Sequence, residues 1–136
     1  MRMTFGNMYS VEADRSKRLV VISAAGRVSK EEVKAAAQEV REIVKDFEPG
    51  FRALADLRWL DSMDSSSAPH IAEIMDALAG KKVGSVVRVI PDPHKDIGLN
   101  ILSHFHYGPE IRTITFETLA DALQSLSEDP TSDVGR

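Results

Sequence analysis

The chain has 136 residues, the length of a single domain, and its 43% hydrophobic and 28% charged residues make an ordinary globular balance. A net charge of −4 supplies no basic field to attract phosphate backbones, which argues against nucleic acid as a partner. The sequence has no cysteine, which excludes disulfides, thiolate metal sites and cysteine nucleophiles.

Arg2, Glu12, Asp14 and Arg15 interrupt the amino-terminal stretch, so no signal peptide is expected there. Leu19-Val20-Val21-Ile22 is the longest aliphatic run and is far too short to span a membrane, so the expected location is the cytoplasm. Met8 to Ala13 reads as a first strand, Asp14 to Lys17 as a polar turn, and Leu19 to Ala24 as a second strand closing a hairpin. Ser29 with Glu32 three positions on is a capping box. The helix it opens carries Val33, Ala37, Val40, Val44 and Phe47 at helical spacing, and Pro49-Gly50 stops it.

A third strand is expected over Phe51 to Leu57, followed by a polar loop. A second helix should begin between Ser65 and Pro69, with Ile71, Ile74, Met75 and Leu78 on its apolar face and Gly80 as its cap. Val86 to Ile90 is the clearest strand. Pro91-Asp92-Pro93 turns it into a third helix carrying Ile97, Ile101, Leu102 and Phe105, which Gly108-Pro109 ends. Ile111 to Phe116 is a short strand, and Thr118 caps a last helix buried through Leu119, Ala122, Leu123 and Leu126. The order β-β-α-β-α-β-α-β-α implies an α/β domain over residues 1–127, a five-stranded mixed sheet with four helices. Residues 128–136 are expected to be a flexible tail.

Chemistry is sparse. The phosphate loop, the dinucleotide fingerprint and the nucleophile elbow are all missing, and no cofactor is expected. His104 and His106 fall in the last turn of a helix, where positions two apart diverge, so a shared metal is not expected. Asp56, Asp61 and Asp64 crowd the segment after the third strand, but no histidine or lysine beside them in sequence completes a catalytic set. Turn and cap roles explain such residues as well as catalysis does. The expectation is therefore a protein with no catalytic and no metal site. Trp59, the only tryptophan, is notable because exposed tryptophans favour contact hot spots.

The segment from Asp56 to Ser67 resembles the STAS domain of anti-sigma factor antagonists and other bacterial regulators. Asp56-Leu57 ends a strand, and Met63-Asp64-Ser65-Ser66 stands at a helix start, with Asp64 eight residues after Asp56. The resemblance extends from about Met8 to Leu126. It implies a non-enzymatic regulatory module that binds a protein partner, an anti-sigma factor or kinase-like regulator. By position Ser66 matches the serine phosphorylated in the antagonists, and Asp64 the acid before it. The implied partner-binding loop holds Asp56, Arg58, Trp59, Asp61, Asp64, Ser65 and Ser67. Three residues depart from the family pattern: Ser67 stands for glycine, Arg58 for serine, and Pro69 for a small or apolar residue. The alternative is a STAS-like carrier of a small apolar ligand or a nucleotide, with a pocket between the sheet and the third helix reached past Trp59 or Tyr107.

Overall fold

The structure is a computed structural model and describes residues 9–127; the expected tail and Met8 lie outside the described residues. One five-stranded sheet runs in chain order: β1 (Tyr9–Asp14), β2 (Leu19–Val28), β3 (Arg52–Met63), β4 (Ser85–Val89) and β5 (Arg112–Phe116). β1 pairs antiparallel to β2, and every other neighbouring pair is parallel. Four α-helices connect and follow the strands: α1 (Lys30–Val44), α2 (Ala68–Gly80), α3 (Ile97–His106) and α4 (Leu119–Ser127). This is the mixed α/β sheet with four helices that the alternation of elements predicts.

Each crossover begins with a local device that the sequence spells out. The Ser29 hydroxyl accepts from the Glu32 N–H at 3.1 Å and the Glu32 carboxylate accepts from the Ser29 N–H at 2.9 Å, completing the capping box of α1. Thr118 accepts from the Asp121 N–H at 3.1 Å at the start of α4. One core forms where Val40, Val44, Met75, Leu78 and Tyr107 meet Val20, Ala53 and Val86 of the sheet. On the other face Ala122 and Leu126 of α4 pack on Leu54, Val87 and Val89. Phe47 lies past the end of α1 rather than within it, yet stays buried with its ring 5.2 Å from Phe51. The left-handed residue after α2 is Lys82 (φ 62°), not Gly80, which is the last helical residue.

Two expectations need correcting. β2 reaches Val28 and β3 reaches Met63, so Arg58 to Met63, expected as loop, is strand. β3 leaves β4 at the pair Asp56↔Val89 but keeps pairing with β2 through Val28↔Met63, across two register shifts. The polar side chains there project from a two-stranded ribbon while the backbone stays paired, and composition alone conceals that. The second concerns α4: Leu123, expected in its buried stripe, is 48% exposed, while Ala122 and Leu126 are buried. α3 also leaves apolar residues uncovered. Ile97, Ile101 and Phe105 are 60%, 56% and 76% exposed, and the side of α3 turned inward carries Leu99, Ser103 and then Tyr107.

Candidate functional site

The carboxyl end of the β2–β3 ribbon delivers the chain to Asp64, whose N–H donates to the Val28 carbonyl at 3.2 Å. Asp64 then organises the single turn of 3-10 helix, Ser65–Ser67, that precedes α2. Its carboxylate accepts from the Ser66 N–H at 3.0 Å and from the Ser66 hydroxyl at 2.8 Å. Its carbonyl accepts from the Ser67 N–H at 2.9 Å and from the Ser67 hydroxyl at 2.5 Å. The cap therefore belongs to Asp64 and not to either serine. Pro69 sits in the first turn of α2, where its missing N–H costs nothing. α2 begins within the expected window, with Ser66 exposed just before it.

The surroundings of Asp64 favour its ionised form. The Ser66 N–H and then the Ser66 hydroxyl hold its carboxyl below the usual range, helped by the Lys30 charge at the start of α1. Ser65 is also exposed, whereas Ser67 is 1% exposed, with its hydroxyl turned to the Asp64 carbonyl. Ser67 thus offers a partner no accessible side chain, which corrects its place in the expected binding loop.

The remaining residues of that loop lie on β3. Arg58 grips Asp56 bidentately, Nε to Oδ1 at 2.9 Å and Nη2 to Oδ2 at 3.0 Å, and this pairing lowers the Asp56 pKa. The same guanidinium lies 5.4 Å from the centre of the Trp59 ring, and Trp59 is 67% exposed. Asp56 is therefore neutralised rather than poised for acid–base work. Asp61 is exposed on the rim of a groove between the end of β3, the serine turn and α3. The groove encloses about 440 Å³ between Leu60 and Met63 on one side and Leu99 and Leu102 on the other. Lys95 donates to the Leu60 carbonyl at 2.8 Å across one end.

Beneath the helices a second, apolar cavity of about 90 Å³ lies against the sheet. Tyr107 lines it and Trp59 does not, so of the two routes expected only Tyr107 borders the space. The cavity also touches Arg88, which the sequence reading passed over inside its clearest strand. Arg88 is 3% exposed and Asp96 7%; their Nε and Oδ1 are 3.2 Å apart. Arg88 Nη1 donates to Ser103 Oγ at 2.8 Å and Nη2 to Asn100 Oδ1 at 2.6 Å. Asp96 Oδ2 accepts from Asn100 Nδ2 at 3.2 Å and from Thr115 Oγ1 at 2.8 Å. A lone arginine among four aliphatic residues was the available signal, because arginine is almost never buried without a partner. Asp96, Asn100 and Ser103 recur at helical spacing and supply that partner.

Two of the histidines pair with acids on the helices. His106 Nδ1 lies 2.8 Å from Asp76 Oδ1, tying α3 to α2, and His70 Nδ1 lies 3.1 Å from Glu73 Oε1 within α2. Among the described residues no three histidine, cysteine or acidic side chains converge to hold a metal ion, and no helix is long and apolar enough to cross a membrane.

No family model and no curated protein matches the sequence. Solved structures do match. A DUF3478-family protein from Shewanella loihica with a SpoIIAA-like fold superposes with a TM-score of 0.65 at 18% identity, covering 87% of this chain and 93% of that one. The anti-sigma factor antagonist SpoIIAA in its unphosphorylated form gives 0.60 at 16% identity, over 88% of this chain and 97% of its own. An anti-sigma factor antagonist from Mycobacterium paratuberculosis gives 0.55 at 21% identity, over 88% and 92%. At these identities the likeness establishes the fold alone: the chain has a SpoIIAA-like fold.

Proposed function

We propose that this chain is a non-enzymatic regulatory module that binds a protein partner beside the serine turn and is switched by phosphorylation of Ser66. The observation that carries this reading is the exposed Ser66 hydroxyl at the start of α2, hydrogen-bonded to Asp64 in a fold shared with anti-sigma factor antagonists. A phosphoryl group there faces solvent and the positive end of a helix, so the domain stays folded. It adds about two negative charges beside Asp64, which repels an acidic surface on a partner. The partner class is an anti-sigma factor or kinase-like regulator. Asp61, Asp64 and Ser65 line the groove and extend the contact; the exposed Trp59, with half-buried Arg58 beside it, provides a separate patch on β3.

The test uses Ser66→Ala and Ser66→Asp in pull-downs from a native lysate, with melting curves run in parallel. Ser66→Ala keeps the partner that the wild type captures, and Ser66→Asp loses it while remaining folded. Retention of every partner by Ser66→Asp overturns the switch.

The apolar cavity supports a second reading, a carrier for a small apolar ligand. Its volume of about 90 Å³ places this second. A cavity of about 150 Å³ is what accepts a benzene ring. Native mass spectrometry of the protein purified from cells distinguishes the two: a co-purifying small molecule favours the carrier.

A further inference from the structure

The Ser66 hydroxyl is committed to one acceptor. It donates to Asp64 Oδ1 at 2.8 Å, and the Ser66 N–H donates to the same oxygen at 3.0 Å. A phosphate ester removes the hydroxyl hydrogen, so two acceptor oxygens would face each other with no proton between them. It also sets about two negative charges against a carboxylate that its surroundings keep ionised. The N–H bond survives a rotation of the Ser66 side chain, whereas the Oγ contact does not survive esterification. The phosphorylated side chain therefore turns away from Asp64, toward whatever cation is free.

The start of α1 supplies that cation. The Asp64 N–H donates to the Val28 carbonyl, which sets the serine turn beside Ser29 and Lys30. Lys30 is the first residue of α1; it is exposed and forms no ion pair or hydrogen bond among the described residues. Its positive charge is the one that acts on Asp64. The neighbouring charges are engaged or of the wrong sign. Lys95, across the groove, is held by the Leu60 carbonyl; His70, in the first turn of α2, pairs with Glu73, and Lys34 acts on that same Glu73. Glu31 and Asp61 are exposed acids, and Glu32 closes the capping box. Arg27, near the end of β2, is exposed as well, but without an influence on Asp64.

We propose that Lys30 receives the Ser66 phosphate, so that phosphorylation exchanges the Ser66–Asp64 hydrogen bond for an ion pair between the phosphoryl oxygens and Lys30 Nζ. This contact rests on the reading of Ser66 as the phosphoacceptor. It ties the serine turn to α1 and leaves Asp64 Oδ1 with the Ser66 N–H alone. One ammonium offsets about half of the added charge, so the surface still becomes more acidic and still repels an acidic partner.

The test uses the full chain with phosphoserine placed at position 66 by amber-codon suppression, so no kinase is needed. Phosphorus NMR in low salt follows the second ionisation of the phosphate. A neighbouring ammonium favours the dianion, so the wild type titrates roughly half a pH unit below Lys30→Gln. Lys30→Arg keeps the lower midpoint, Arg27→Gln matches the wild type, and salt at about 0.5 M narrows the gap. The unphosphorylated variants melt as the wild type does. Equal midpoints in the wild type and Lys30→Gln overturn the proposal. So does an equal rise in Arg27→Gln, which indicates a diffuse field and no specific pair. The phosphoacceptor reading stands or falls separately: a partner retained by Ser66→Asp removes the switch, whereas the titration decides the role of Lys30.

Discussion

Asp64 is the residue on which the serine turn depends. Its carboxylate satisfies the Ser66 N–H and receives the Ser66 hydroxyl, while its carbonyl receives both donors of Ser67. Asp64→Ala therefore lowers the melting temperature by roughly 2–6 °C, measured by circular dichroism at neutral pH. The pH dependence has a definite sign. The folded pKa of Asp64 lies below its unfolded value, so its contribution is present above the ordinary carboxylate range and is lost as pH falls through the folded value. Removing Asp64 should flatten part of the acid limb of stability against pH. An unchanged acid limb in Asp64→Ala would contradict the cap. Ser66→Ala forfeits only one exposed hydrogen bond and changes stability little. Ser66→Asp sets a second carboxylate beside the first, so it melts below Ser66→Ala in low salt, and the gap narrows as salt screens the pair. If Ser66 were the cap, that order would reverse, because aspartate caps as well as serine. The sequence made the acid–serine pair visible, but which of the two caps the turn depends on backbone geometry that composition does not encode.

At the scale of elements, α3 shows what periodicity can and cannot reveal. Spacing identifies residues that share a helix face; whether anything covers that face is a tertiary fact. Ile97, Ile101 and Phe105 were legible as a stripe, and their exposure was not. The opposite side of α3 is held through the buried pair Arg88–Asp96. Asp96→Ala leaves the Arg88 charge buried without its partner and costs about 3–5 kcal/mol in urea denaturation. The double variant Arg88→Leu/Asp96→Ala recovers most of that loss, because no buried charge remains. Equal losses in the single and double variants would mean that the pair is not what destabilises the helix when broken. At the other edge of the sheet Tyr9 ties β1 to α1, its hydroxyl donating to Glu39 at 2.6 Å, which pushes the Tyr9 pKa up to about 12. A raised folded pKa gives stability that is complete below the unfolded value near 10 and lost as pH rises toward the folded one. Melting temperatures should fall over that alkaline window in the wild type and less steeply in Tyr9→Phe.

For the whole molecule, the order of strands and helices was readable because each crossover carries its own punctuation: the Ser29–Glu32 box, Pro69 in a first helical turn and Thr118 at a last cap. Right-handed parallel crossovers then leave little freedom in the arrangement of the sheet. The length of β3 was not readable, since Arg58, Asp61 and Ser62 interrupt its apolar residues while Trp59, Leu60, Ser62 and Met63 still pair with β2 across two register shifts. The site divides along the same line. Asp64 and Ser66 stood out by spacing, while Arg88 was hidden in an aliphatic run and the inward turn of Ser67 follows from the Asp64 carbonyl. The central claim is that Ser66, rather than either serine beside it, receives the regulatory phosphate. The most direct measurement is residue-resolved mass spectrometry of the protein recovered from its native cells, for the wild type and for Ser66→Ala. Phosphate located on Ser66 in the wild type, and no phosphate on the segment in Ser66→Ala although Ser65 remains exposed, is the predicted result. A segment never phosphorylated under any growth condition, or phosphate carried by Ser65 in both proteins, would contradict it.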